Sequence, residues 1–200
     1  MKKIKTIFSG NILFLLMILL TIISLSFTIV LQKGDIKIYW SKDKLLTWDD
    51  FKGKPVKGSP IAADTDSGFE LRSSYNSNDH LLVIDLQTYF IKNKSWYKPE
   101  KKSETLLKHE QGHFDISELF TRKLHENIIE EKINEKNISQ RITQLNEKYT
   151  YELHKYQDLY DKETEHSINE KKQMEWNEKI AKELKELEKY TETHFTVEVK

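Results

Sequence analysis

The sequence has no cysteine among its 200 residues. This absence excludes disulfide bonds, thiolate nucleophiles and cysteine-based metal sites, and it also excludes a lipid-modified cysteine near the N-terminus. Any metal ion that this protein binds must therefore be held by histidine, aspartate or glutamate side chains.

The sequence also has no excess of charge of either sign. Lysine and arginine together number 32, as do aspartate and glutamate, so the formal net charge is zero. A protein that binds the phosphate backbone of nucleic acids usually carries a positive excess, so no nucleic acid partner is expected. The length suits one domain with a hydrophobic core.

Glycine and proline are scarce, and their positions divide the chain. There are six glycines and three prolines; no proline follows Pro99, and Gly112 is the only glycine after it. Before Pro99, residues 35–40, 67–75 and 80–90 have the composition of strands, and glycines and prolines between the first two indicate turns. This half is predicted to form a small antiparallel sheet.

After Pro99 the apolar residues recur three or four positions apart, as they do in helices. Ser103 can cap a helix over residues 104–133, a second helix is predicted from about Ile138, and a third segment or a continuation carries Trp176. The Lys- and Glu-rich residues 178–190 are interpreted as a solvated helix face. The predicted fold class is therefore α+β, with the small antiparallel sheet packed on a helical core with long C-terminal helices.

The N-terminal residues have the pattern of an export signal. Three lysines in the first five residues precede an uncharged apolar run at 12–31, about the length that a helix needs to cross a bilayer. The run is longer than a cleaved signal peptide requires, so residues 1–33 are predicted to be a transmembrane anchor that makes the membrane a partner. Residues 34–200 are predicted to form one domain outside the cytoplasm, periplasmic or at the cell surface, and secreted if the anchor is cleaved.

The residues that indicate chemistry are His109, Glu110 and His113, which form an H-E-x-x-H motif on the first predicted helix. Side chains four apart on a helix lie one turn above each other, so the two imidazoles can bind one metal ion. Zinc suits imidazole ligands and can leave one position for water. Glu110 would then act as the general base. Within the same helix, Gly112 indicates a packing or close-approach reason, because glycine destabilises a helix by about 1 kcal/mol relative to alanine.

A third zinc ligand must come from another part of the chain. The remaining histidines are His80, His125, His154, His166 and His194. If the second helix continues past Leu159, Glu163 and His166 fall on its buried stripe, where polar groups need partners. His166 is the predicted ligand, Glu163 is an alternative as ligand or supporting residue, and Asp161 is the other candidate. Asp115 is near enough in sequence to accept the second N–H of a ligand histidine, although an ideal helix points it away from His109.

Five stretches of the sequence carry a resemblance to a known family. They are residues 46–55 (LTWDDFKGKP), 62–69 (AADTDSGF), 94–98 (KSWYK), 106–116 (LLKHEQGHFDI) and 160–167 (YDKETEHS). Together they resemble the bacterial family of predicted secreted zinc-dependent proteases, long described as a domain of unknown function. The resemblance implies a zincin-like core, His109, His113 and His166 as zinc ligands, and Glu110 as the catalytic acid/base.

These observations predict a membrane-anchored zinc metallopeptidase that acts on a protein or peptide substrate. Two alternatives remain open at the level of sequence. One is a non-catalytic interaction module of the cell envelope whose zinc site is structural and is closed by a fourth protein ligand. The other is a zinc amidase that acts on cell-wall peptide, since the motif does not separate amidases from proteases.

Overall fold

The computed structural model describes residues 34–199. Within them, six strands and three α-helices follow one another in the order β1 (Lys37–Tyr39), β2 (Ala63–Asp64), β3 (Ser67–Asn76), β4 (Leu81–Ile91), β5 (Trp96–Tyr97), α1 (Glu104–Glu130), α2 (Ile138–Thr164), α3 (Glu170–Glu186) and β6 (His194–Glu198). The predicted antiparallel sheet and the predicted helices are confirmed. Of the two possibilities left open for the region of Trp176, the structure has a separate third helix, α3, and not a continuation of α2.

The central strand of the main sheet is β4. It pairs antiparallel with β3 over ten residues, from Ser67 opposite Phe90 to Asn76 opposite Leu81. Its other edge is shared, because β1 pairs with the end of β4 and β6 pairs with its beginning. β2 and β5 form a separate two-stranded ribbon.

The pairing of β6 with β4 was not predicted from the sequence. The five residues of β6 alternate between exposed and buried, with Phe195 and Val197 facing the core. This alternation has the period of a strand, but it is short and follows a long charged helix. The strand is stabilised by its pairing with a partner more than a hundred residues earlier in the chain.

The main core lies between the sheet and the three helices. α1 contributes Ile116, Phe120, Leu124 and Ile128, whose spacing of four residues puts them on one face. The other core residues, from β4, α2, α3, β6 and the segments beside them, are Leu82, Ile84, Leu86, Ile133, Ile142, Leu145, Tyr149, Leu153, Tyr160, Trp176, Ile180, Phe195, Val197 and Val199. Full burial of one such side chain contributes about 1.5–3 kcal/mol to folding, so this face of α1 fixes the helix on the sheet.

A second, smaller core surrounds the first turns of α1. Trp48, the first residue of a short 3₁₀ turn (Trp48–Asp50), and Phe51, which follows the turn, pack with Phe90 of β4 and Phe114 of α1. The rings of Phe51 and Phe90 lie 5.1 Å apart in an edge-on arrangement, which is favourable for aromatic pairs. The small core also contains Ala63, so it holds the ribbon strand β2 beside the N-terminal half of α1.

The end of α2 differs from the predicted continuation of that helix. α2 ends at Thr164, and the next three residues, Glu165, His166 and Ser167, have φ angles of 51°, 51° and 77°. This left-handed conformation costs non-glycine residues roughly 1–2 kcal/mol each and breaks the helical register. Asn169 then caps α3 by accepting a hydrogen bond from the backbone of Lys172. His166 is therefore not on the buried stripe of α2.

The predicted fold class needs one correction. Among residues 34–199, no helix combines the length and the apolar character needed to cross a membrane. The predicted anchor, residues 1–33, lies outside the described residues. The fold class that the structure supports is α+β without a transmembrane helix in the described part of the chain, and the prediction of the membrane as a partner through such a helix is not supported. The division at residue 33 and the location outside the cytoplasm stay predictions.

One histidine of α1 is buried far from the H-E-x-x-H motif. The ring of His125 stacks on Phe195 of β6, with 3.7 Å between the centroids and 8° between the planes. Burial lowers the pKa of His125 below its ordinary value, although a backbone hydrogen bond at Tyr190 and the charge of Glu192 act in the opposite direction. The imidazole of His125 therefore binds a proton more readily in the unfolded chain than in the folded protein.

His125 should make folding sensitive to acid. Because its pKa is lower in the folded state, its contribution to stability is present above the unfolded value of about 6.5 and is lost as the pH falls below it. We expect the difference in the free energy of unfolding between the parent and His125→Asn, measured with denaturant, to shift against the parent as the pH falls from about 7.5 to about 5.5. The corresponding difference between the parent and His154→Asn, at an exposed position of α2, should stay the same over this range. Equal pH dependence in the parent and in His125→Asn would contradict the assignment.

Candidate metal centre

The two histidines of the motif meet one carboxylate of α2. Nε2 of His109 and Nε2 of His113 lie 3.0 Å and 2.9 Å from the same oxygen, Oδ1 of Asp161. The three potential ligand atoms all lie within 4.8 Å of one another. Both histidines are buried, and Asp161 is partly exposed. The helix α1 sets the spacing of the imidazoles, and the packing of α2 against α1 brings the carboxylate to them.

The charge of Asp161 matches this environment. Burial alone would raise the pKa of its carboxyl group, but the hydrogen bonds and charges of His109 and His113 together outweigh burial and hold the pKa below its ordinary value. Imidazole nitrogens and ionised carboxylate oxygens are common ligands of divalent metal ions. The group of His109, His113 and Asp161 can therefore hold a metal ion.

The carboxylate of Glu110 lies in the same wall of the site. It is 2% exposed, and its Oε2 accepts a hydrogen bond of 2.6 Å from the hydroxyl of Thr65, just after β2. Burial raises the pKa of Glu110 to about 7, against the lowering effects of His109 and of the Thr65 hydrogen bond. A carboxyl group with a pKa near neutrality can accept and release a proton at the pH where most proteins work.

A cleft of about 110 Å³ opens onto these groups. One side is formed by residues 61–65 around β2, and the other by α1 and the last turns of α2. Asp64 and Asp158 join Glu110 and Asp161 among the lining residues, and none of the lining residues in the described part of the chain is lysine or arginine. The cleft is thus small, polar and suited to positive charge.

The three candidates for the third ligand occupy different places. Asp161 lies with the histidine pair, as described above. Glu163 accepts a hydrogen bond from the indole N–H of Trp176 and so contacts α3 instead. His166 lines the cleft with a side chain that is 52% exposed, and its Nδ1 is 3.4 Å from Oδ1 of Asp161. The structure brings together His109, His113 and Asp161, and it places His166 beside this group at the cleft.

The second nitrogen of His109 has a partner that the sequence did not indicate. Nδ1 lies 2.9 Å from Oε1 of Gln173, on α3. Asp115, the residue considered for this role, accepts hydrogen bonds from Trp40 and Gln111 instead. Gln173 is separated from His109 by more than sixty residues, and glutamine on a charged helix has no pattern that would reveal it. The contact of Thr65 with Glu110, 45 residues later in the chain, was not predicted either, because no spacing in the sequence connects them.

Gly112 is explained by the side chain that approaches it. The ring of Tyr160 stacks on the His109 imidazole at 4.6 Å and 14°, and its hydroxyl donates to the carbonyl of His109. A Cβ atom at position 112 would overlap that hydroxyl and lie 2.8 Å from Cζ of the ring. The close approach predicted from Gly112 is therefore the entry of Tyr160 between the helices.

The fold and the site define an α+β protein with a candidate metal centre between two helices. Residues 92–167 match a family described as "Bacterial protein of unknown function (DUF922)". This match spans less than half of the chain; it includes α1, α2 and the three grouped residues, and it precedes α3. Searches of curated proteins and of solved structures each found no match. Of the five stretches that carry the resemblance described above, residues 46–55 and 62–69 lie before the matched region.

The fit of Tyr160 against Gly112 can be tested by adding one methyl group. Gly112→Ala would gain about 1 kcal/mol of helix propensity, but the overlap with Tyr160 should cost about 1–3 kcal/mol or more, so we expect a net loss in the free energy of unfolding. In a Tyr160→Phe background the loss should be smaller, because the hydroxyl is gone. A double-mutant cycle by denaturant unfolding measures this coupling. If Gly112→Ala lowers the free energy of unfolding equally in both backgrounds, the Tyr160 hydroxyl is not the reason that position 112 requires glycine.

Proposed function

We propose that this protein is a zinc-dependent peptidase in which Glu110 is the general base. The observation that carries the proposal is the position of Glu110, buried at the wall of an open cleft and adjacent in the chain to His109 of the His109–His113–Asp161 group. Its raised pKa of about 7 suits proton transfer near neutral pH. The matched family has no known function, so the activity rests on the site itself.

His109, His113 and Asp161 would hold the zinc ion through Nε2, Nε2 and Oδ1. When bound, zinc supplies a Lewis acid that lowers the pKa of a water molecule toward neutrality. Asp161 would supply one negative charge against the two positive charges of the ion. The described lining residues include no lysine or arginine and two further aspartates, Asp64 and Asp158, so the cleft favours a bound cation.

Glu110 moves the proton in this proposal. Its carboxylate accepts a proton from the water whose oxygen forms the new bond to the peptide carbonyl carbon. It then donates that proton to the amine nitrogen as the carbon–nitrogen bond breaks, so the carboxylate is regenerated. The Thr65 hydroxyl, which donates to Oε2, holds the carboxylate in one orientation during both transfers.

One observation supports a different role, in which the metal only joins the helices. Nδ1 of His166 lies 3.4 Å from Oδ1 of Asp161, so His166 is near enough to be a fourth protein donor. A site with four protein ligands is closed and structural, whereas a catalytic site keeps a position for water. The two functions therefore differ in whether His166 is needed for metal binding.

Replacing Glu110 should separate binding from catalysis. We expect Glu110→Gln to retain one equivalent of zinc and to lose at least about a hundredfold in the rate of peptide hydrolysis, since general base catalysis contributes about 10²–10⁴. The rate can be followed by mass spectrometry of a peptide library, with zinc measured in the same samples. Glu163→Gln is the matched control, because Glu163 contacts Trp176 outside the cleft. Undiminished hydrolysis in Glu110→Gln would remove Glu110 from the mechanism.

Zinc content of three variants distinguishes the catalytic site from the structural one. The parent should bind one equivalent, and both His113→Ala and Asp161→Ala should lose most of it, because each removes a donor. His166→Ala should keep its zinc and should bind it within about tenfold of the parent affinity. If His166→Ala loses zinc as completely as Asp161→Ala, the site has four protein donors and the structural role is the better description.

A further inference from the structure

We infer that Gln173 is a positioning residue for the metal centre: its side-chain oxygen keeps a proton on Nδ1 of His109, so that Nε2 is the nitrogen that binds the metal. The inference rests on the proposed metal site and adds to it a residue of α3, which the H-E-x-x-H motif does not include. It also explains why α3 packs with a polar residue toward α1.

The contacts of Gln173 are short and buried. The residue is 3% exposed, and its Oε1 lies 2.9 Å from Nδ1 of His109. Its Nε2 lies 2.6 Å from the hydroxyl of Tyr160 and 2.8 Å from Oδ1 of Asn177. All the hydrogen-bonding atoms of the amide thus have partners among the described residues.

The direction of these hydrogen bonds follows from which groups have a proton to donate. The hydroxyl of Tyr160 has one proton, which it donates to the carbonyl of His109 at 3.1 Å. Toward Gln173 the hydroxyl must therefore accept, so the amide nitrogen faces Tyr160 and the amide oxygen faces the imidazole. Because an amide oxygen only accepts, Nδ1 of His109 must carry the proton between them.

The remaining neighbour of Nδ1 does not change this assignment. The hydroxyl of Thr164 lies 3.5 Å from Nδ1, but it donates its proton to the carbonyl of Tyr160 at 2.7 Å. The stacked ring of Tyr160 holds the plane of the imidazole. Because Nδ1 donates its hydrogen bond to Gln173, Nε2 is the ring nitrogen that faces Asp161 and the cleft. A metal ion then displaces only a proton on Nε2.

This arrangement makes α3 part of the metal centre. Hydrogen bonds to the second nitrogen of a ligand histidine fix its tautomer and orientation, and their loss typically costs about 10–100-fold in metal affinity. Gln173 lies beyond residue 167, where the match to the family ends. The metal affinity of this chain should therefore depend on a helix outside the matched region.

The first test is nuclear magnetic resonance of the full chain labelled with ¹⁵N in histidine, recorded without zinc and with one equivalent. Proton-coupled correlations of the ring nitrogens show which of them carries a proton. We expect Nδ1 of His109, which faces the Gln173 oxygen, to carry a proton in both samples and Nε2 to carry none once zinc is bound. An unprotonated Nδ1 in either sample overturns the assignment.

The second test is zinc affinity by competition with a chelator. Gln173→Leu, which keeps the volume but removes the acceptor, should weaken zinc binding about 10–100-fold, and Gln173→Glu, which keeps an acceptor, should restore affinity to within a few-fold of the parent. Asn177→Ala is the control, because Asn177 contacts the Gln173 amide nitrogen and not His109. Parent-like affinity in Gln173→Leu, or equal losses in Gln173→Leu and Gln173→Glu, overturns the inference.

The outcomes for Gln173 and for the proposed function are separable. A parent protein that binds no zinc overturns the proposed function, and the protonation of Nδ1 in the zinc-free sample then decides the role of Gln173 by itself. If Gln173→Leu does not fold, the comparison of the parent, Gln173→Glu and Asn177→Ala decides it together with the spectra. Zinc binding in the parent with an unprotonated Nδ1 leaves the metal site intact and removes Gln173 from it.

Discussion

The contact between Tyr160 and Gly112 is the constraint on which the metal centre depends. The tyrosine ring enters where α1 has no side chain, so α2 approaches α1 more closely than it could past any other residue at that position. The next residue of α2 is Asp161, whose carboxylate consequently reaches both imidazoles of α1. If α2 were displaced by the width of a methyl group, these bonds near 3 Å would be lost. A packing detail therefore determines whether the three donors meet.

The helix α1 carries buried polar groups on more than one side, which is costly unless each has a partner. Toward the cleft, Glu110 is paired with the hydroxyl of Thr65. Toward the sheet, Glu118 accepts hydrogen bonds from Thr88 and Arg122, and Arg122 also donates to the carbonyl of Leu184 near the end of α3. Among the described residues, no buried side-chain nitrogen or oxygen lacks a hydrogen-bond partner. Partners from the sheet, the β2 segment and α3 thus stabilise one polar helix in the core.

The sequence allows the strands and helices to be predicted where their patterns are long. The residues of β3, β4 and α1 show strand or helix periodicity over ten or more positions, and packing does not override it. The end of α2 could not be predicted, because the chain turns through three left-handed residues without a glycine. The helical periodicity, extended past that end, placed His166 on the buried face of α2, whereas His166 lies in the turn after the helix. β6 was missed because five residues give too little pattern and its partner strand is distant. The transmembrane helix predicted for residues 1–33 has no support in the described part of the chain.

By itself, the sequence determined that two histidines and a glutamate lie together on one helix, and it indicated a packing or close-approach reason for Gly112. The first follows from local geometry, since the spacing of side chains along a helix is the same in any fold. The second follows from the low helix propensity of glycine. Only the tertiary structure decided that Asp161 joins the histidines, that Thr65 holds Glu110, and that Gln173 contacts the far side of His109. These three residues come from separate elements, and their distances depend on how the helices and the ribbon pack. No spacing in the sequence records that packing, because the contacts form between residues that are dozens of positions apart.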